Sequence, residues 1–402
     1  MRRFCILLLA ALAWCAQAGA ADLVPQGSLV IVGGALRSDN AVVWQRIVQL
    51  AGGAGARIAV LPSAAANPEG SGAHLAAYLN RYGASAFVVP LAVRLAGRDY
   101  RRDAEDATLA RSIREAGGVY FCGGDQALIT QALVRPDGSR SAVLEAIWDV
   151  YRRGGVIAGT SAGAAIMSST MFDSTRSVFS TLAQGVNDGR ELAPGLGFIG
   201  KDIFVDQHLL ARGRFARMLP AMLKKGYKLG LGIDENTAMV INAARDVEVL
   251  GYQGALLMDL SQAAVDPGAK DFNISNVRVS YLDRGDRYNL TSRQFTPSAD
   301  KVEGGKLDPQ NPATRAPVYT SDILGHNAVL VLMEKLIDNS QTEATGIATA
   351  GPGEARQELG FEFRFSRLAD SIGYASATTE GYSILNLRLD VRPLQITRPW
   401  YK

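Results

Sequence analysis

The sequence predicts an α/β protein: an open, mostly parallel central sheet with helices on both faces, continued by a β-rich C-terminal extension. Three observations carry that expectation. Short apolar runs alternate with stretches of helical length over the first half of the chain. Each run is apolar on both faces and closes on turn residues, as strands of a buried parallel sheet do. Beyond about Gly230 the runs are shorter and tightly connected, and near the C terminus apolar and polar residues alternate with period two.

The elements follow in order. Strand-like runs at 29–32, 58–61, 87–89, 119–122 and 156–158 end at Gly33-Gly34, Pro62-Ser63, Pro90, Gly123-Gly124 and Gly159. Helical stretches at 41–51, 74–82, 103–116 and 141–153 lie between them. In such sheets the ligand crevice opens beyond the carboxyl ends of the strands, where the glycine turns fall. Further short strands are expected at 232–234, 238–242, 247–250 and 275–282. Residues 295–317 are polar, with several Pro and Gly, and read as a linker or long loop. A helix is expected over 327–338. Phe361, Phe363 and Phe365, then Leu385, Leu387, Leu389 and Val391, alternate with polar residues as half-exposed antiparallel strands would.

The chain has 402 residues, enough for one large domain or two ordinary ones. Apolar residues make up 48% and charged residues 20%, the balance of a globular protein with a substantial core. The net charge is +3 with no Lys/Arg block, which argues against a nucleic-acid partner. Arg2 and Arg3 precede an apolar run at 4–14, and Ala18-Gly19-Ala20 has the form of a cleavage site. Residues 1–20 are therefore expected to be a secretory signal peptide, and the mature protein to be exported, into the periplasm or the medium. No later segment offers eighteen consecutive apolar residues, so no membrane partner is expected after cleavage. Cys5 and Cys15 would leave with the leader, and Cys122 alone can form no internal disulfide.

Gly159-Thr160-Ser161-Ala162-Gly163 is a G-x-S-x-G sequence directly after an apolar run and before a helix-like stretch. In that context the serine is expected on a sharp strand-to-helix turn, a nucleophile elbow, with the Ala162 N–H placed to stabilise an oxyanion. A serine hydroxyl needs a base, and the base an orienting acid. The histidines are His74, His208 and His326. His74 falls in a surface helix; His208 follows an apolar run in Asp206-Gln207-His208 and is the better base candidate; His326 lies in the less regular tail. Asp234 and Glu235 are adjacent and would point to opposite faces, so one of them can serve the site. Arg214 and Arg217 would share a helix face, with Arg212 partly off it. Clustered guanidiniums suit a carboxylate-bearing substrate. Gly123-Gly124-Asp125-Gln126 is a further candidate: its amides, Gly124 among them, can complete an oxyanion hole, and Gln126 can hydrogen-bond substrate. Cys122 reads as a buried strand thiol.

In order and spacing, the motifs at 123–126, 159–164, 206–217 and 232–238 resemble those of the cyanophycinases, exopeptidases of the serine-peptidase family that also contains the aspartyl dipeptidase peptidase E. Tyr281-Leu282-Asp283-Arg284-Gly285-Asp286 is similar to the end of that family's domain, so the resemblance covers about residues 29–294. It implies a three-layer sandwich of the class I glutamine amidotransferase-like, flavodoxin-like kind in residues 21–294, with 295–402 as an addition. It implies Ser161 as nucleophile, His208 as base and later acid, and Glu235 as the orienting carboxylate. Gln126, Asp206, Gln207, Arg212, Arg214 and Arg217 would hold substrate. In that family the substrate is cyanophycin, poly-aspartate carrying arginine on each β-carboxylate, and the product is the β-Asp-Arg dipeptide. No metal or organic cofactor is implied, and members are typically homodimers. The leader and the extension depart from the compact intracellular pattern. Relatives with the same triad can cleave other aspartyl or isoaspartyl peptides. Two further readings differ in kind: an α/β-hydrolase esterase, whose Ser–acid–His order would use His326, and a non-catalytic polymer-binding homologue.

Overall fold

The computed structural model describes residues 25–173 and 176–397, so the expected leader lies outside the described residues. The first part of the chain runs β1 (Ser28–Val32), α1 (Ala41–Leu50), β2 (Arg57–Leu61), α2 (Pro68–Arg81), β3 (Ser85–Val88), α3 (Tyr100–Ala104), α4 (Ala107–Arg114), β4 (Gly118–Phe121), α5 (Gln126–Leu133), α6 (Ala142–Arg152) and β5 (Val156–Thr160). The middle comprises α7 (Ala162–Ala165), β6 (Thr170–Phe172), α8 (Val178–Gln184), β7 (Leu192–Pro194), β8 (Ile203–Gln207), α9 (Phe215–Lys225), β9 (Leu229–Ile233), β10 (Thr237–Ile241), β11 (Asp246–Gly251), β12 (Ala255–Asp259), β13 (Ile274–Leu282) and β14 (Arg287–Asn289). The last part holds β15 (Phe295–Thr296), α10 (Ala299–Gly304), β16 (Val318–Thr320), α11 (Ala328–Ile337), β17 (Glu343–Thr349), β18 (Leu359–Ser366), β19 (Ile372–Ala375) and β20 (Tyr382–Gln395).

The protein is a mixed α/β structure built on two large sheets. The first has the order β3-β2-β4-β5-β1-β10-β11-β14-β15. Its five strands from β3 to β1 are parallel. The four beyond them are antiparallel, a larger share than the sequence suggested. Alternate residues of these apolar strands face opposite ways. Val30, Val32, Ile58 and Val60 pack with α1 and α2 on one face. Leu29, Ile31, Leu61 and Phe121 pack with α4 and α6 on the other. The expected helix at 103–116 is two helices, because the Asp106 carboxylate accepts the Thr108 and Leu109 amides at 2.7 and 3.0 Å and starts a new one.

The second sheet runs β8-β9-β12-β13-β20-β18-β17-β16, with β19 on β20. Strand β13 precedes residue 294 and β20 follows it, and the two pair along their length. The extension is thus built onto the sheet of the preceding part. Phe361, Phe363 and Phe365 are fully buried on one face, beneath α8, α9 and α11. Leu385 breaks the expected alternation. Asn386 has φ 61°, and the register slips opposite 279–281, so Leu387 and Leu389 face one core and Leu385 the other. This is the signature of a β-bulge.

Residues 295–317 are more ordered than a linker. Strand β15 closes the first sheet, and α10 carries Lys301 into a fully buried position beside Asp283 (3.0 Å) and Asp286 (3.5 Å). The paired carboxylates are what allow an ammonium to be buried there.

Candidate active site

Ser161 stands between β5 and α7 with φ 54° and ψ −109°, a left-handed backbone that an L-residue adopts only when its surroundings enforce it. The enforcement is visible in its neighbours. A Cβ on Gly159 would lie 2.3 Å from the Gly163 carbonyl oxygen, and one on Gly163 would lie 2.6 Å from that of Phe121. The Ser161 amide donates to the Val32 carbonyl at 3.0 Å, which ties the turn to the end of β1.

His208 and Glu235 arrive from the other sheet. Strands β8 and β9 are parallel neighbours, with Gln207 opposite Ile233, so the residues just beyond them emerge side by side. At 234–236 the chain leaves the second sheet for β10 of the first. The Gly33-Gly34 turn stitches the two together: the Gly33 carbonyl accepts the His208 amide at 2.8 Å, and the Gly34 carbonyl accepts the Asn236 amide at 2.8 Å. A Cβ on Gly34 would sit 2.2 Å from the His208 ring. The paired glycines after β1 were legible as a strand end, but this close approach was not.

The result is a hydrogen-bonded line. Ser161 Oγ lies 2.8 Å from His208 Nε2, and His208 Nδ1 lies 2.5 Å from Glu235 Oε1. A carboxylate on Nδ1 holds that nitrogen protonated and leaves the Nε2 lone pair toward the hydroxyl. Such a line can take a proton from the serine as it attacks and return it to a leaving group. Asp234 points away, accepting the Ala211 amide at 3.1 Å. His326 is exposed, with Nδ1 3.2 Å from the Ala211 carbonyl rather than on Ser161. His74 is exposed on α2. Burial pushes the Cys122 thiol up to about 11, so it is protonated and unreactive at neutral pH.

Burial lowers the His208 pKa below its ordinary value, the Glu235 hydrogen bond opposes this, and Arg212 and Arg214 lower it further. A base must be neutral, so a lowered pKa extends its working range to more acidic pH. The acidic limb of kcat/KM is expected to bend below the usual imidazole value of about 6.5. A pH–rate profile bending above that value would contradict the assignment of the limb to His208.

The residues expected to hold substrate divide into two groups. Asp206 and Arg217 are both buried and form a two-pronged ion pair with each other, at 2.7 Å on each prong. The Arg217 guanidinium also lies 4.1 Å from the Phe172 ring centroid. Gln207 is buried and receives the Arg214 guanidinium on its side-chain oxygen at 3.0 Å and on its carbonyl at 3.1 Å. Burial and the Arg217 charge bring Arg214 down to about 10. Gln126 at the start of α5 donates to the Phe172 carbonyl at 2.6 Å. Arg212 remains half exposed, 3.8 Å from Glu235, at the mouth of the cleft. Gly123 lies against the serine, where a Cβ would be 3.2 Å from that of Ser161, and the next residue, Gly124, with φ 139°, lies against Ala64, whose carbonyl a Cβ would strike. Ala162 opens α7, where first-turn amides have no intrahelical acceptor.

The cleft beside Ser161 has a volume of about 380 Å³. Its wall of Leu36, Trp44, Leu75 and Tyr120 was not foreseen. The only signal available for Trp44 was a lone aromatic on an amphipathic helix, which is the ordinary pattern of a core residue.

The model of peptidase family S51 matches residues 29–247. The cyanophycinase of Geminocystis herdmanii is 32% identical over 292 residues, which cover 69% of this chain and 98% of that protein. The cyanophycinase of Synechococcus elongatus is 31% identical over 279 residues, covering 67% of this chain and 81% of that protein. A solved peptidase from an acI-B1 actinobacterium, 20% identical, superposes with a TM-score of 0.45 over 58% of this chain and 91% of its own.

Proposed function

Because this chain belongs to peptidase family S51, we propose that it is an exported serine-type exopeptidase that cleaves cyanophycin to β-Asp-Arg dipeptides. The observation that carries the reading is the line of 2.8 and 2.5 Å contacts through Ser161, His208 and Glu235. Ser161 Oγ attacks the backbone carbonyl while His208 Nε2 takes its proton. The amides of Gly124 and Ala162 meet the oxyanion. As the tetrahedral species collapses, His208 returns the proton to the departing amine, leaving an acyl-enzyme on Ser161. Water, deprotonated by His208, adds to the ester, and the product leaves as Oγ regains its proton. Glu235 keeps the imidazole oriented throughout and stabilises its charged form. Arg212, exposed at the mouth, suits an aspartyl carboxylate.

One observation favours a neighbouring substrate. Asp206, the one carboxylate among the residues expected to hold substrate and so the natural acceptor for the arginine of cyanophycin, is already paired with Arg217. A dipeptidase for other aspartyl or isoaspartyl peptides needs no such acceptor. Mature protein incubated with cyanophycin, and separately with β-aspartyl and Asp-X dipeptides, distinguishes the two by mass spectrometry of the products. Release of β-Asp-Arg supports the polymer. Cleavage of simple aspartyl dipeptides with intact polymer replaces it with the dipeptidase reading, and inertness toward all of them rejects both.

A further inference from the structure

We propose that residues 323–327, in the extension, position the loop that carries His208 and Arg212, so that the extension is part of the working site rather than an appendage. The inference rests on the Ser161–His208–Glu235 reading above for its kinetic consequence, though not for its geometry.

The loop at 208–214 leaves β8 at His208, which has φ 51°, and turns into α9. On its inner side it is held by the family part of the chain: His208 N–H on the Gly33 carbonyl at 2.8 Å, Leu209 N–H on Ile233 at 3.3 Å, Ala211 N–H on the Asp234 carboxylate at 3.1 Å. Its outer side is held by the extension. The Asn327 amide donates to the Leu210 carbonyl at 3.0 Å, and His326 Nδ1 donates to the Ala211 carbonyl at 3.2 Å. The Leu324 carbonyl lies so close that a Cβ on Gly213, at φ 57°, would fall 2.1 Å from its oxygen. Consecutive carbonyls of the loop, at 210 and 211, are thus engaged from outside the family match, which ends at 247.

The clamp is itself anchored. Ile323 is fully buried, in one core with Leu209, Leu210 and Phe215. Its amide donates to the Ile347 carbonyl on β17 at 2.9 Å, and a Cβ on Gly346 would collide with its side chain. Behind it Phe363 packs edge-on against Phe215 at the start of α9, with centroids 5.6 Å apart. A short loop with left-handed backbone at its first residue is held in place by contacts at both sides. Loosening one side shifts the imbalance to the imidazole that the loop presents. Misplacement of reacting groups by about 1 Å can cost on the order of 100-fold in rate. The groups that face His208 from the elements around it are Glu235, Arg212 and Arg214, and those that face His326 include Asp234. A moved loop therefore changes the titration of His208 as well as the rate.

The test uses the full chain with His326→Ala, His326→Asn and Gly213→Ala. Asparagine offers an N–H where the imidazole Nδ1 offers one. The three histidines of the chain can be followed individually by nuclear magnetic resonance, and kcat, KM and the pH profile measured on whichever substrate the enzyme turns over. His326→Ala is expected to lower kcat/KM about five- to tenfold, mainly in kcat, and to shift the His208 titration. His326→Asn should restore both. Gly213→Ala should lower kcat/KM by up to about 100-fold. Variants whose His208 titration and pH profile superimpose on those of the wild type, whatever their melting temperatures, would overturn the proposal. A His208 titration that shifts in the variants of a chain inert toward every substrate tried would uphold the positioning and reject the proposed function.

Discussion

Ser161→Ala is expected to lower kcat on the order of 10⁶-fold while leaving the melting temperature near that of the wild type. The hydroxyl makes one hydrogen bond, to His208, and the turn around it is enforced by Gly159, Gly163 and the Val32 carbonyl rather than by the side chain. His208→Ala should cost nearly as much, and the double variant little more than either alone, because in the proposed mechanism the two act as one unit in proton transfer. Glu235→Ala should cost less, on the order of 10⁴-fold, since in the proposed mechanism it orients the base without touching the reacting carbonyl. Single-turnover release of product measures all four. A Ser161→Ala protein that keeps even a hundredth of the wild-type rate would remove this serine from the chemistry.

Lys301→Ala is expected to cost about 3–5 kcal/mol of stability. The ammonium is fully buried and lies within 3.5 Å of Asp283, Asp286, the Arg284 carbonyl and the Ser298 hydroxyl. Asp286 is equally buried and also accepts the Asp283 and Ser298 amides at 2.8 and 3.1 Å and the Ser383 hydroxyl. Burial already pushes the Asp286 pKa up, and Lys301 is the largest influence opposing it. Truncating the lysine strands two carboxylates in the interior, whereas Lys301→Met with Asp286→Asn removes charge of both signs and should recover part of the loss. Urea titration of the full chain, read as a change in midpoint at constant slope, measures it. A loss below about 1 kcal/mol would mean that water or a rearranged partner satisfies the site. The cluster joins the 283–286 turn, the start of α10 and β20, so its failure should loosen the extension before the first sheet.

Much of the first sheet was legible because its strands are short, apolar on both faces and closed by glycine or proline. The sequence predicted strands at 29–32, 58–61, 119–122 and 156–158, and β1, β2, β4 and β5 occupy those positions within a residue or two. The turn at Ser161 was legible for a different reason: a strand end followed by small residues is a local pattern that survives without any knowledge of packing. His208 was one of three candidate histidines, and Glu235 was preferred to Asp234 only through the family resemblance.

What local patterns could not carry was partnership. The run Ile203-Phe204-Val205 has the same composition as the core strands of the first sheet, yet β8 belongs to the second, because a strand apolar on both faces does not declare its neighbour. Asp206 and Arg217 looked like two substrate ligands and are one internal pair. Residues 295–317 read as a linker, and they hold a strand, a helix and the buried Lys301.

By itself, then, the sequence determined most of the strands of the first sheet, the glycine turns at their ends and the order along the chain of a candidate serine, histidine and acidic pair, since each depends on near neighbours in the chain. Only the tertiary structure decided that Ser161 comes from one sheet and His208 and Glu235 from another, that the Gly33-Gly34 turn lets them meet, and that the extension grips the loop between His208 and Arg214. Those are contacts between residues tens to hundreds of positions apart. Their energy depends on which surfaces exclude water together, and that is settled only when the whole chain has packed.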